Sequence, residues 1–432
     1  MSLRARFRAA RLGAVLLLLA LVTGACGTAR AEYIAQLAAD GGDISGGGTG
    51  LDGGSASGEP GASEAPVVAA PDPAQFGVQL DTFFGAGAAG MYDAAVTGVY
   101  EGLAVEAGFL PGTPDEDPLG APLVEDGPQL LVASVPAVLV AREQLGADYV
   151  LVAMLYQRSG SVLIAPKGTP VSSLAKLEGS TIGMLGIGNR SLDLRAALAK
   201  AGLEDGTGYN SAGEYDFIFD PASSPLADML HGGMLAAAGG TTYDEYAQLL
   251  EFGSSDGAPA YAPGQLAVRN LDETGDAMLG TGIFARASWL TDPKHKDALV
   301  RFLQGTFQGY VDCRDRPADC AQLVVDQGAP LPVGHQLWAV NEVNALVWPA
   351  PGGIGSLDMA AYQSTVDRLV ATGLLAAAPP PEAVDLSYAD AARKALAELD
   401  LTGSGFTPQA VPITPGGLGA EPAPTDATED GG

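Results

Sequence analysis

From residue 78 to residue 372, short β-rich apolar runs alternate with helix-forming runs. A chain patterned this way must cover its strands with helices, so the expected class is α/β with mostly parallel sheets. The strand candidates are residues 78–83 (VQLDTF), 103–106, 129–133 (QLLVA), 149–155 (YVLVAML), 181–185 (TIGML) and 216–219. Helical runs are expected over residues 86–98 and 135–145, the latter with Pro136 at an early position. Another, LDLRAALAKAGL, should stop at Gly202, and a short one covers 225–230. The clearest helix spans 293–310, where Leu299, Phe302, Leu303, Thr306, Phe307 and Tyr310 share one face. Residues 359–372 give one more, closed by Gly373.

The alternating body is flanked by segments with little to bury. Residues 40–74 are rich in Gly, Ser, Pro and acid and read as a flexible tether. Residues 403–432 have the composition of a second disordered tail. Within the tether, Gly47–Asp52 matches one unit of a calcium β-helix repeat, but a single unit cannot stack.

The start of the chain addresses it out of the cytoplasm. Arg4, Arg6, Arg8 and Arg11 precede an apolar run over residues 12–22, too short to span a ~30 Å hydrocarbon core comfortably. Thr23-Gly24-Ala25-Cys26 follows and resembles a bacterial lipobox, with Thr where Leu is usual. Cys26 is the expected lipid-attachment residue. Cleavage before it removes four arginines and no acid. No later stretch is apolar and long enough for a transmembrane helix. Cys313 and Cys320 remain, in CRDRPADC, and are expected to pair in an oxidising compartment.

Asp+Glu total 51 against 22 Lys+Arg, for a formal charge of −29. That balance repels phosphate backbones and excludes a nucleic-acid partner. Three His and three Cys leave little for a metal site, and the chain has no HExxH, GxSxG or P-loop. Gly186-Ile187-Gly188-Asn189-Arg190-Ser191 lies between a strand and a helix. Ser191 replaces the third Gly of a dinucleotide fingerprint, so the segment reads as a ligand loop at a helix N-terminus.

Several stretches then fall into a familiar order. Gly98–Val105 (GVYEGLAV), Ala141–Ala147 (AREQLGA), residues 150–165 (VLVAMLYQRSGSVLIA), residues 174–183 (LAKLEGSTIG) and Gly282–Ala285 (GIFA) with the helix after Pro293 all contribute. Together they resemble the solute-binding proteins of ABC importers. The closest likeness is to the branch binding thiamine-pyrimidine precursors, riboflavin, alkylsulfonates and nitrate. The resemblance implies a two-lobed periplasmic-binding-protein type II fold with a ligand cleft between the lobes. It implies lobe 1 over residues 76–158 and 282–400, and lobe 2 over 159–281. A signal peptide over 1–25, a tether over 26–75 and a tail over 401–432 complete the division. The Gly- and Ser-rich crossings near Ser159–Ser161 and Gly280–Gly282 are the expected hinges.

Ligand contacts are expected at strand C-termini and helix N-termini. In and beside the first lobe these are Phe83, Phe84, Ser134, Tyr156, Gln157 and Ser159. In the second they are Gly186, Asn189, Asp220, Thr242 and Tyr243. Tyr92 is expected in the core, and nothing places Trp338 or Trp348. None of the three His falls in these loops, so the chain is expected not to be an enzyme and to need no cofactor or metal. A thiamine-pyrimidine-synthase-like enzyme and a receptor that has lost small-molecule binding are the alternatives. Arg158 and Arg190 are the nearby cations, whereas the aromatics suit a flat ring. The expected solute is therefore a heteroaromatic such as a thiamine pyrimidine precursor or a flavin, with alkylsulfonate, taurine or nitrate as the alternative. The expected partners are an ABC permease and its ATPase. The protein is expected to be a monomer, lipid-anchored at the extracytoplasmic face of the membrane.

Overall fold

The computed structural model describes residues 73–113, 117–185, 191–212, 225–251, 261–262 and 264–411. The strand candidate at 216–219 and the lipobox at Cys26 lie outside these residues. Two five-stranded sheets organise the body. The first has the order β2-β1-β3-β10-β4, with β1 Ala74–Leu80, β2 Val105–Leu110, β3 Leu130–Ser134, β4 Tyr149–Met154 and β10 Thr281–Arg286. The second has the order β7-β6-β8-β5-β9, with β5 Ser161–Pro166, β6 Thr181–Gly183, β7 Asn210–Ala212, β8 Ala237–Thr241 and β9 Leu266–Asn270. The chain passes from the first sheet to the second between β4 and β5 and returns between β9 and β10. Each sheet is the centre of one lobe.

The expectation of mostly parallel sheets is corrected. β1 pairs in parallel with β2 and β3, and β6 with β7 and β8. β10 runs antiparallel between β3 and β4, and β5 runs antiparallel between β8 and β9. The exceptions are the strands at the crossings. β5 and β10 enter their sheets directly from the other lobe, without the helical crossover that parallel neighbours need.

Helices α1 Ala89–Val96, α2 Val99–Gly102 and α3 Val135–Leu145 precede the crossing. Helices α4 Leu192–Lys200, α5 Pro225–His231 and α6 Glu245–Glu251 belong to the second lobe. After the return come α7 Pro293–Asp315, α8 Pro317–Asp326, α9 Val333–Val347, α10 Met359–Ala371 and α11 Ser387–Ala395. Asp292 caps α7 by accepting from the Lys294 N–H at 2.8 Å. The apolar face read from the sequence is buried, with Leu299, Phe302, Leu303, Thr306 and Phe307 fully enclosed. Tyr100 stacks on Phe302 at 5.4 Å, and its hydroxyl meets Thr306 Oγ1 at 2.7 Å. No helix among the described residues is long and apolar enough to cross a membrane.

Helix α7 runs five residues past its expected end at Tyr310. Arg316 finally leaves the helix at φ −134°, as a residue before proline does, and Pro317 opens α8. Cys313 and Cys320 face each other across this corner and are joined, with 1.98 Å between their sulfurs. Only one residue, Arg316, separates the two helices. Closing so short a loop should contribute about 2 kcal/mol. Replacing both cysteines by Ala should lower the urea unfolding free energy by roughly that amount, and an unchanged midpoint would show the bridge to be dispensable.

Residues 401–411, expected as part of the tail, are hydrogen-bonded to the body. The Ala350 N–H donates to Thr402 O and the Ile354 N–H to Leu401 O, both at 2.8 Å. Asn341 exchanges two hydrogen bonds with the Gln409 backbone. Residues 401–411 are therefore packed onto the first lobe, although their Gly, Pro and Thr content resembles a linker.

Candidate functional site

A cavity of about 120 Å³ opens where the two lobes meet. The end of β1 leads into one wall through residues 81–88, and the end of β3 supplies Ser134. The outgoing crossing supplies Tyr156 and residues 159–161, and the returning one Leu279–Thr281. From the second lobe come Asp193 in the first turn of α4, Thr241 at the end of β8, and Tyr243 and Asp244 just beyond it. The first turn of α9 adds His335 and Gln336. Strand ends and helix starts thus frame the cavity, as in open α/β sheets generally.

Of the residues expected to meet a ligand, Phe83, Phe84, Ser134, Tyr156, Ser159 and Tyr243 line this cavity. Gly186, Asn189 and Asp220 lie outside the described residues. Gln157 and Thr242 do not line the cavity. The Gln157 N–H donates to Leu346 O at 2.8 Å, and its side-chain amide donates to Ser356 O at 3.2 Å. The Thr242 N–H donates to Gly160 O at 2.9 Å, while its own carbonyl accepts from Trp338 Nε1 at 2.9 Å.

The aromatic lining has a dual role. Phe84 meets Tyr92 edge-on at 6.1 Å, and Tyr92 is fully buried, as expected. Tyr156 is 4% exposed and belongs to the first lobe's core. Tyr243 meets it edge-to-face at 6.4 Å from the other lobe. Trp348 is buried away from the cavity, with the Arg314 guanidinium 4.9 Å over its ring. Arg158 is committed as well: it donates to Ala345 O at 3.2 Å and Trp348 O at 3.1 Å, carbonyls at the C-terminus of α9. That position suits a cation through the helix dipole.

The structure adds polar residues that sequence reasoning missed: Asp81, Asp193, Asp244, His335 and Gln336. Asp193 is buried, and its Oδ2 accepts from Ser159 Oγ at 3.1 Å and the Met278 N–H at 3.2 Å. It thereby ties the outgoing crossing to the returning one. Burial raises its pKa, against the pull of these donors. Gln336 is 4% exposed, and its Oε1 has no hydrogen-bond partner.

His335 does not lie in the strand-end loops, yet it lines the cavity from the first turn of α9. Its Nδ1 lies 2.7 Å from Glu251 Oε2 and its Nε2 3.3 Å from Asp244 Oδ1. Burial favours the neutral ring, but the hydrogen bonds and charges of Asp244 and Glu251 override it and push the pKa up to about 9. No local spacing could have revealed this, because Glu251 lies 84 residues away.

Among the described residues, the grouping of His, Cys, Asp and Glu whose ligand atoms converge as a metal site requires is Asp93, Cys313 and Cys320. Both its sulfurs are bonded to each other, which leaves no thiolate to ligate, and it does not line the cavity.

No curated protein matches the chain by sequence. Solved structures match its fold. The periplasmic aliphatic sulphonate binding protein SsuA from Escherichia coli aligns over 74% of this chain and 91% of its own, at 17% identity and a TM-score of 0.50. The periplasmic nitrate-binding protein NrtA from Synechocystis PCC 6803 aligns over 80% and 93%, at 12% identity and a TM-score of 0.54. The ligand-binding component of an ABC-type import system from Staphylococcus aureus, solved with zinc bound, aligns over 74% and 98%, at 13% identity and a TM-score of 0.50. At these identities the likeness is one of fold, and it is the two-lobed fold the sequence led us to expect. The family profile described as NMT1/THI5 like matches residues 86–320, more than half of the sequence and both lobes of the cleft, so the chain belongs to the NMT1/THI5-like family.

Proposed function

We propose that the protein is the solute-binding component of an ABC importer. In this reading it captures a small heteroaromatic molecule, such as a pyrimidine precursor of thiamine or a flavin, and delivers it to a membrane permease. The observation that carries the ligand choice is the character of the cavity wall. Phe83, Phe84, Tyr156 and Tyr243 offer ring faces and edges. Asp81, Asp193, Asp244 and the unpartnered Gln336 Oε1 offer acceptors. Among the described residues no Lys or Arg lines it. An amino-substituted ring brings the N–H donors such a wall needs. A sulfonate or nitrate brings only acceptors and would have to displace Arg158 from its carbonyls or find another cation.

The relatives of known ligand keep the anion reading alive as an alternative, and family membership keeps an enzyme as another. His335 is a poor general base, because both ring nitrogens already face carboxylates. The rest of the reading follows the sequence. Residues 1–25 are a signal peptide, and Cys26 carries lipid at the extracytoplasmic face. Residues 26–75 tether lobe 1 (76–158 and 282–400) and lobe 2 (159–281) with a reach of about 35–40 Å.

A thermal-shift panel tests the ligand. A solute present at about 100 times its Kd should stabilise the protein by ~2.7 kcal/mol. Pyrimidines or flavins are expected to raise the melting temperature, and taurine, alkylsulfonates and nitrate to leave it unchanged. The opposite pattern would replace the heteroaromatic ligand with an anion.

A further inference from the structure

The lobes are joined by more than their crossing segments. Helix α9 is anchored in the first lobe, where Val340, Val343 and Val347 pack into the core around β1 and β4. Its N-terminal half lies against the second lobe. There Trp338 donates to the Thr242 carbonyl at 2.9 Å and its ring sits 6.4 Å from Tyr246. One turn earlier, His335 contacts both ends of α6: Glu251 in its last position and Asp244 just before it. Those two acids are seven residues apart, two helical turns, so they share the face turned toward α9. His335 and Glu251 are both buried.

We propose that His335 is a positioning residue for solute capture, its imidazolium latching α9 of the first lobe to α6 of the second over the mouth of the cavity. A doubly protonated ring donates to both carboxylates. A neutral ring keeps one N–H and turns a lone pair on the other acid, so one contact becomes repulsive. The surrounding groups concentrate this effect on His335. The Ala86–Ala88 turn that packs on α9 carries no titratable side chain. On the side of α7 and α8, Asp312 and Asp319 pair with Arg316, Asp315 pairs with Arg314, and Asp326 accepts from Gln322. On α9 itself, burial raises the Glu342 pKa. Asp81 and Asp193 lie elsewhere in the cavity wall.

The direction with pH follows. The ring's pKa in the latched state is about 9, above its ordinary 6.5. The latch is complete near pH 6.5 and weakens as pH rises through about 9. Its role in solute capture rests on the proposed function, but the latch itself rests on the two-lobed fold and is tested without any ligand.

Trp338 reports on it directly. In the full-length protein, raising the pH from 6.5 to 10 should shift the tryptophan emission to the red, with a midpoint near 9. The shift should vanish in Trp338→Phe, which assigns it to α9. Glu251→Gln should move the midpoint toward 6.5, an effect a merely structural role would not produce. His335→Gln should leave the emission red-shifted and flat with pH. No red shift in the wild type, or one that survives unchanged in His335→Gln, would overturn the proposal.

Discussion

Gly309→Ala is expected to abolish the native fold or leave it several kcal/mol less stable. At Gly309, α7 crosses α1 so closely that an added Cβ would lie 1.9 Å from the Gly90 carbonyl oxygen. The obstacle is backbone, so no rotamer change relieves it. The reciprocal contact is equally tight, since a Cβ on Gly90 would lie 2.5 Å from the Tyr310 ring. The helices would have to separate, loosening a contact around Met91, Tyr92, Phe302, Phe307 and Tyr310, all buried. Overpacking of side chains costs typically 1–3 kcal/mol, and a backbone collision between two helices should exceed that range. Whole domains are stable by only about 5–15 kcal/mol, so the loss is a large share. Gly102→Ala is the control, because nothing lies within 4 Å of its added Cβ. Urea unfolding of the pair should separate a large drop in midpoint from a change within about 0.5 kcal/mol. A wild-type midpoint in Gly309→Ala would contradict the observed crossing.

The local pattern of the sequence carried the helices further than the site. The start of α7 at Pro293 and its buried face are legible from the three- and four-residue spacing. Its last turn is not, because VDCRD is polar enough to read as a loop; only the stop before Pro317 has a local cause. The sequence pattern places the first strand at 78–83, but β1 occupies Ala74–Leu80. The polar Gln75 and Gln79 hide it. Gln79 is buried because its amide donates to Leu80 O in its own strand and to Leu110 O and Pro111 O, two acceptors that only the folded neighbour strand brings close. Ending the strand at Leu80 moves Asp81 and Thr82 into the loop and hence into the cavity wall.

The same contrast holds within the site. Aromatic residues at strand ends were recognisable because that position is fixed by topology. Asp193 was not, because an acid in the first turn of a helix ordinarily belongs on a solvated face. It is buried here by partners 34 and 85 residues away in the sequence, Ser159 and Met278. A cleft assembled from both lobes draws its polar groups from such distances, so no window of the sequence contains them together. Signals that come from one strand or one helix survive in the sequence; charge pairing across the hinge does not.

Tyr243 provides the most discriminating test of the cleft itself. Alanine at Tyr156 would confound the measurement, since that ring is enclosed in the core and its loss should cost about 3–5 kcal/mol of stability. Tyr243 is half-buried and comes from the loop after β8. Its ring lies over the outgoing crossing, where a Cβ on Gly160 would approach it to 3.0 Å. Removing it takes away one aromatic wall but no layer of the core. The lost apolar contact and ring pairing should weaken binding by ~2–4 kcal/mol. At 1.4 kcal/mol per decade, that is roughly a 30- to 1,000-fold rise in Kd for the compound that stabilises the wild type. Tyr243→Phe keeps the ring and should stay within about threefold unless the hydroxyl contacts the solute. Tyr156→Phe asks the same of the opposite wall without opening a void. Calorimetric titration of the three variants, each first checked for a native melting transition, reads the result. An unchanged Kd in Tyr243→Ala would mean that the solute does not occupy the space between Tyr156 and Tyr243, and the assignment of this cavity as the binding cleft would fall with it.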